Sequence, residues 1–81
     1  MEFTVYVIKS ENNQFYKGVT NNLERRLKEH RLGKTKTTRG MKNMKVVYTE
    51  KHNNFKEARK REVYLKSAAG RRFLKKDFGR A

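Results

Sequence analysis

The sequence predicts an α+β fold in which a small three-stranded antiparallel sheet is flanked by helices, an α/β sandwich-like arrangement. Three short segments are rich in β-branched or aromatic residues, as strands are, at residues 2–9, 14–19 and 44–51. Two other segments carry apolar residues at helical spacing and begin after asparagines that can cap a helix. The chain has 81 residues, which allows a single domain over 1–81. Such a domain buries only ~60% of its unfolded surface, so its core is thin.

The first two strands form a predicted hairpin. Residues 2–9 (EFTVYVIK) are the first strand, 10–13 (SENN) have turn chemistry, and 14–19 (QFYKGV) are the second strand. Gly18 weakens the second strand and indicates a place where a ligand or another backbone comes close. Side chains alternate between two faces along the first strand, with Phe3, Val5 and Val7 on one face and Thr4, Tyr6 and Ile8 on the other.

A first helix and a basic loop follow the hairpin. Asn21, with Glu24 three residues later, resembles a capping box for a helix over LERRLKEH, which Gly33 ends. Residues 33–43 have no hydrophobic period and no acidic residue, so we expect a mobile basic loop before the third strand at 44–51.

The chain ends in helical sequence. Asn53 or Asn54 can cap a second long helix that runs to about Ser67, with Gly70 as its stop. Residues 71–77 (RRFLKKD) add a short third helix. The element order is therefore strand, strand, helix, strand, helix, helix.

Positive charge dominates the composition. Lys and Arg number 22 against 8 acidic residues, a formal net charge of +14. Residues 1–16 hold one Lys and two Glu, so the excess lies in the remainder of the chain. This balance indicates a polyanionic partner, most commonly nucleic acid. A solubilising coat, or a ribosome-associated protein without chemistry, would explain the same charge.

Several classes of protein are excluded or disfavoured. Without cysteine there is neither a disulfide framework nor a thiolate metal site, which fits a reducing, cytoplasmic location. No apolar run approaches the ~20 residues of a membrane span, and the amino terminus lacks a signal-peptide pattern.

Two charged residues fall where the helical pattern requires apolar ones. On the first helix Arg26 lies on the apolar face, whereas Arg25 lies on the opposite side. On the second helix Glu62 lies at the centre of an apolar stripe, where a carboxylate is costly unless it is paired or bound to a metal. An internal Arg26–Glu62 salt bridge would explain both positions without any chemistry. The neighbours that define these faces are Leu23, Leu27 and His30 on the first helix, and Phe55, Ala58, Leu65 and Ala69 on the second.

Tyr6, Tyr16 and His30 have ordinary structural explanations when each is taken alone, but the combination suits phosphodiester hydrolysis. That reaction needs an activated water, positive charge on the phosphorane and stabilisation of the departing oxygen. Arg26 could supply the positive charge, a metal on Glu62 could stabilise the leaving group, and a tyrosine or His30 could take the proton. Tyrosine, with an unperturbed pKa of ~10, would need nearby cations for that task.

The same residues resemble the GIY-YIG nuclease superfamily. Its two half-motifs are matched by Val5-Tyr6-Val7 and Tyr16-Lys17-Gly18, and residues 19–30 are similar to the arginine-bearing helix. The resemblance covers nearly the whole chain and is to the short, single-domain bacterial members. It extends to the amino-terminal nuclease domain of the bacterial excision-repair excinuclease. The chain departs from the family pattern at Val5 and Val7, and at Lys17, which either adds a phosphate contact if it points outward or disturbs the sheet if it points inward.

The resemblance implies a role for each matching residue. Tyr16 would be the general base or would orient the water, Tyr6 would bond near the scissile phosphate, and Arg26 would stabilise the phosphorane. His30 would bind phosphate or share the proton transfer. Glu62 would be the sole protein ligand of one Mg²⁺ or Mn²⁺ ion, as suits a hard cation.

The implied function is a metal-dependent endonuclease with little sequence specificity. Its substrate is nucleic acid, with DNA favoured and RNA left open by the sequence. The expected nucleic-acid contacts are Lys17, Gly18, Lys34, Lys36, Arg39, Lys42, Arg71 and Arg72. We expect a monomer without membrane association, too small to include a separate DNA-recognition domain, so that a protein partner could supply target specificity. The alternatives are a catalytically weak binding module and an adaptor that uses charge alone.

Overall fold

The computed structural model describes residues 2–11, 13–33 and 42–79. Three strands and three helices occur in them, in the predicted order: β1 (Phe3–Lys9), β2 (Phe15–Thr20), α1 (Leu23–Arg31), β3 (Lys45–His52), α2 (Phe55–Lys66) and α3 (Ala68–Phe78). Within these ranges, none of the helices has the length and apolar character that a bilayer crossing requires. Most of the predicted basic loop, residues 34–41, lies outside the described residues.

The sheet is antiparallel throughout and has the order β2-β1-β3, which confirms the predicted α+β class. β1 is the central strand, so both of its edges are paired, and the helices cover both of its faces. Four consecutive residues from Val5 to Ile8 are accordingly at most 1% exposed. Val7 lies opposite Lys17 on β2 and opposite Tyr48 on β3. The outer edges of β2 and β3 pair with no further strand among the described residues.

The two faces of the sheet carry different helices. Val5 and Val7 pack with Ala58 of α2 and with two leucines, Leu65 and Leu74, in the main hydrophobic core. We call this side the α2 face. Tyr6 and Ile8 point to the other side, which α1 covers, and we call it the α1 face.

Asparagine side chains start α1 and α2. Asn22 Oδ1 accepts the Arg25 amide hydrogen at 3.1 Å, and Asn54 Oδ1 accepts that of Glu57 at 2.9 Å. The capping box predicted at Asn21 is therefore wrong by one residue, because the side chain of Asn22 is the one that reaches the free Arg25 amide. At the other end of α1, Gly33 adopts a left-handed φ of 72° and ends the helix as predicted.

The boundary between the last two helices lies before Gly70, which contradicts the predicted stop there. Ser67 interrupts the chain with an extended backbone, and its hydroxyl accepts the amide hydrogen of Gly70 as the cap of α3. Gly70 lies inside α3 because its Cα packs on α2: a Cβ there would lie 2.1 Å from the Tyr64 carbonyl oxygen. The helix break also removes Ala69 from the α2 stripe, and Phe55 at the start of α2 is 53% exposed.

A polar network ties α2 to β3 on the α2 face. Glu50 accepts hydrogen bonds from Tyr48, from His52 at 2.6 Å and from Arg61 of α2 at 3.1 Å. Burial alone would raise the pKa of Glu50, but these partners together hold it below its usual value. Arg61 also stacks on Tyr64, with its guanidinium carbon 4.8 Å from the ring centroid. The helix that carries Glu62 is thereby fixed against the edge of the sheet.

Candidate active site

Four of the five predicted catalytic residues come together on the α1 face. Tyr6 and Tyr16 project from neighbouring strands, with their ring centroids 6.1 Å apart. His30 of α1 packs edge-on against both rings, at 5.8 Å from Tyr6 and 4.8 Å from Tyr16. Arg26, one turn earlier on α1, interacts with both phenols through its side chain. We call these four residues the tyrosine cluster.

Tyr6 and His30 are buried and bonded to each other. The Tyr6 hydroxyl lies 2.9 Å from His30 Nε2, and the two residues are 0% and 1% exposed. Burial raises the pKa of Tyr6 to about 12, while Arg26 partly opposes this rise. Burial, together with the charge of Arg26, lowers the pKa of His30. At neutral pH the raised pKa of Tyr6 keeps the phenol protonated and the lowered pKa of His30 keeps the imidazole uncharged, so the hydrogen bond joins two neutral groups.

Arg26 is held from both sides. Its Nη1 donates to Glu29 Oε1 at 3.0 Å, and the side chains of both residues are about one-third exposed. The hydrogen bond to Glu29 raises the pKa of Arg26, and the neighbouring phenols of Tyr6 and Tyr16 raise it further. The guanidinium is thus permanently charged, fixed in direction and still open to solvent, as a group that stabilises a phosphorane must be.

Gly18 lies directly against the tyrosine cluster. It faces Tyr6 across the β1–β2 pair, and a Cβ at position 18 would lie 2.6 Å from the Tyr6 hydroxyl oxygen and 2.7 Å from Cζ. The glycine is therefore required by the tyrosine ring itself, whether or not nucleic acid approaches it.

We expect Gly18→Ala to break the Tyr6–His30 hydrogen bond, because the buried ring has no free space into which it can move. Overpacking of this kind costs about 1–3 kcal/mol in the free energy of unfolding. Urea denaturation measures the loss, and the His30 Nε2 and Nδ1 nitrogen shifts report whether the hydrogen bond persists. An unchanged denaturation midpoint with unchanged imidazole shifts would contradict the assignment.

Glu62 is buried as predicted, but it lies apart from the tyrosine cluster. It is 7% exposed on the stripe of α2 between Ala58 and Leu65, which pack on the α2 face. One carboxylate oxygen accepts from Arg59 and the other is 3.1 Å from Lys66, and both partners lie on the same helix. No ion pair joins Glu62 to Arg26 within the described ranges, so the predicted alternative of an Arg26–Glu62 bridge is wrong. Each residue instead pairs three or four positions along its own helix.

The environment of Glu62 suits one hard cation. A carboxylate is an oxygen donor of the type that Mg²⁺ and Mn²⁺ bind, and the remaining ligands of such ions are commonly waters and substrate phosphate. Both partners of Glu62 are accessible to solvent, since the side chains of Arg59 and Lys66 are each more than half exposed. Within the described part of the chain, no group of three or more His, Cys, Asp or Glu side chains could form an all-protein cage. A metal here would therefore have Glu62 as its protein ligand.

A cleft of about 370 Å³ connects Arg26 with the beginning of α2. Arg25, Arg26 and Glu29 line it from α1, and Phe55 lines it from α2. It opens past Val19 and Thr20 at the end of the edge strand β2. The cleft gives an extended ligand a continuous surface from the tyrosine cluster toward the helix that bears Glu62.

The other predicted nucleic-acid residues are dispersed. Lys17 and Arg71 lie near each other on the α2 face, while Lys42 and Arg72 are exposed elsewhere. Lys17 is half-buried opposite Val7, yet β2 is continuous around it, so its inward position does not disturb the sheet. Three further predicted contacts, Lys34, Lys36 and Arg39, lie outside the described residues.

The residues that hold the functional side chains were not predicted from the sequence. Glu29 orients Arg26, while Arg59 and Lys66 hold Glu62. Each lies three or four positions from its partner on the same helix, so i,i+3 and i,i+4 pairing was the signal that could have identified them.

The chain is similar to known proteins in sequence and in fold. The family model of the GIY-YIG catalytic domain matches residues 2–76. UPF0213 protein CPE1444 of Clostridium perfringens is 46% identical over 63 residues, which are 76% of this chain and 68% of that protein. UPF0213 protein SH2523 of Staphylococcus haemolyticus is 35% identical over 72 residues, 88% of each chain. The solution NMR structure of UPF0213 protein BH0048 from Bacillus halodurans has a TM-score of 0.57 and 31% identity. The match covers 91% of this chain and 82% of that one.

Proposed function

The chain belongs to the GIY-YIG catalytic domain family, and on that basis we propose that it is a metal-dependent endonuclease that hydrolyses phosphodiester bonds. The observation that carries the proposal is the tyrosine cluster, in which a charged, oriented and partly exposed Arg26 lies beside two phenols. The net charge of +14 supports nucleic acid as the substrate, because phosphate contacts supply sequence-independent affinity.

We assign the direct roles to the exposed members of the cluster. Tyr16 is only half-buried and is positioned to orient or deprotonate the attacking water. Arg26 stabilises the negative charge that develops as the water oxygen bonds to phosphorus and the bond to the leaving oxygen breaks. Tyr6 and His30 are positioning residues, since both are buried and the Tyr6 hydroxyl is hydrogen-bonded to His30 Nε2 rather than open to substrate.

Glu62 supplies the negative charge that holds the cation. When bound, Mg²⁺ or Mn²⁺ acts as a Lewis acid on the phosphate and leaving-group oxygens. The burial of Glu62 favours this assignment. Ion pairs with Arg59 and Lys66 alone could form on the exposed side of the helix and would not require a buried carboxylate. DNA is the proposed substrate in preference to RNA.

A cleavage assay tests the proposal. The substrates are duplex, single-stranded, flapped and branched DNA together with RNA, each incubated with Mg²⁺, Mn²⁺ or EDTA. We expect cutting that requires the metal and stops in EDTA, and the Glu62→Gln protein purified in parallel controls for contaminating nuclease. Salt-sensitive binding without cutting on any substrate would contradict the enzyme and favour a binding module.

A further inference from the structure

A second cleft, lined in part by cations, lies on the α2 face, on the side of the sheet opposite to the tyrosine cluster. It is a cleft of about 500 Å³ in the corner between β2 and α3, which we call the basic cleft. Its lining residues are Asn13, Phe15, Lys17, Arg71, Leu74, Lys75 and Gly79. None of them belongs to the tyrosine cluster.

The basic cleft holds cations without counterions. Lys17, Arg71 and Lys75 are three of its seven lining residues, and none of the seven is acidic. None of these three cations forms an ion pair within the described residues. Such a cluster is unfavourable by itself, and it becomes favourable when a bound anion supplies the missing charge.

Lys17 is the most informative member of the basic cleft. It occupies a sheet position opposite the fully buried Val7, where an apolar side chain would cost less. Burial, with the charges of Arg71 and Lys66, lowers the pKa of its ammonium group. The chain thus keeps a cation at a position where folding alone disfavours one.

The position of Lys17 next to Tyr16 relates the two sites. Consecutive residues of a strand point to opposite faces. Tyr16 therefore belongs to the tyrosine cluster on the α1 face, and Lys17 belongs to the basic cleft on the α2 face. β2 is an edge strand, and its outer side pairs with no strand among the residues described. A polyanion that crosses this edge can reach both sites at once.

We propose that the basic cleft binds a backbone phosphate of the nucleic acid, different from the phosphate at the tyrosine cluster. This inference rests on the proposed function for its ligand. The contact anchors the strand across the edge of β2, with Arg71 and Lys17 as the principal partners. Because it reads phosphate alone, it adds affinity and register without sequence preference.

The test compares two double variants that each remove two positive charges. Lys17→Gln/Arg71→Gln removes the charges of the basic cleft, and Lys56→Gln/Lys60→Gln removes two exposed charges of α2. Binding to a short duplex and to its single strand is measured in EDTA between about 50 and 200 mM KCl. The slope of log K against log salt is negative. Loss of one phosphate contact makes it shallower, reducing its magnitude by about 0.9 for duplex or about 0.7 for single strand.

We expect that decrease in the basic-cleft variant and a clearly smaller one in the α2 variant. Equal decreases would overturn the proposal. The double variant could fail to fold because Lys17 is half-buried, so Arg71→Gln is also tested alone. Arg71 is exposed on α3, and its replacement should likewise reduce the magnitude of the slope. A wild-type slope for a folded Arg71→Gln protein would also overturn the proposal.

Titration with inorganic phosphate, followed by amide NMR, identifies the source of the anion. Shifts confined to the basic cleft, together with the slope change, support the nucleic-acid assignment. Such shifts with an unchanged slope would show a site for free anions only and overturn it. All these measurements are made without cleavage, so a failure of the nuclease proposal would appear in the cleavage assay and leave this test intact.

Discussion

Glu62→Gln should reduce metal-dependent cleavage by about 10²–10³-fold while leaving nucleic-acid affinity in EDTA nearly unchanged. Glutamine keeps the volume of the side chain on the buried stripe but loses the charge that a divalent cation requires. The fold should survive. The lost pairs with Arg59 and Lys66 have half-exposed partners and contribute only about 0.3–0.5 kcal/mol each.

Glu57→Gln is the matched control for this variant. Glu57 lies on the same helix and pairs with Lys60 at 3.9 Å, but its side chain is 54% exposed. It changes the net charge equally without touching the buried position, so its cleavage rate should remain that of the wild type. Binding of Mn²⁺, followed by electron paramagnetic resonance, should weaken only in Glu62→Gln. Equal cleavage rates in the two variants would contradict the assignment of Glu62 as the metal ligand.

Arg26→Ala should lower cleavage by a similar factor, about 10²–10³-fold, because it removes the one cation of the tyrosine cluster that is directed and permanently charged. Arg26→Lys should not restore the rate. A single ammonium cannot reproduce the planar guanidinium, which bonds to Glu29 while lying beside the phenols. Stability should change little, because Arg26–Glu29 is a partly exposed pair within one helix.

Arg25→Ala provides the comparison, since Arg25 is the exposed neighbour on α1 and carries the same charge. Its cleavage rate should stay near that of the wild type. A second readout separates the two variants independently of activity: the pKa of His30, which is lowered first by burial and then by Arg26, should rise in Arg26→Ala alone. NMR titration of the His30 imidazole measures it. Equal losses of cleavage in both arginine variants would show that general positive charge, rather than Arg26, is needed.

The elements were predictable because each has a strong local signal. Alternation identified the strands, and an asparagine begins each of the first two helices. The errors arose where neighbouring residues offer the same chemistry. Asn21 and Asn22 can both cap by composition, and the structure shows that Asn22 is the cap. Gly70 has the composition of a helix stop, but the close approach of two helices, invisible in the sequence, explains it.

The candidate site was predictable in its membership but not in its contacts. Helical spacing placed Arg26 and His30 on one face, and the structure brings them to the two tyrosines. The sequence could not show that Tyr6 and His30 form a hydrogen bond with each other, because that bond joins residues 24 positions apart. The alternative of an Arg26–Glu62 pair was wrong for a related reason: two charges of opposite sign on the inward faces of two helices suggest a pair, although each is satisfied within its own helix.

The central position of β1 also has a consequence for the order in which the chain assembles. The β1–β2 hairpin closes a short loop, so it can form early and set Tyr6 beside Tyr16 through local contacts. The β1–β3 pairing joins Phe3 to His52, more than half the chain apart, and such distant contacts form slowly. Glu62 follows β3 in the chain, on a helix that docks on the completed sheet. The two tyrosines can therefore be paired through local contacts before α2 docks on the sheet and brings Glu62 to its buried position.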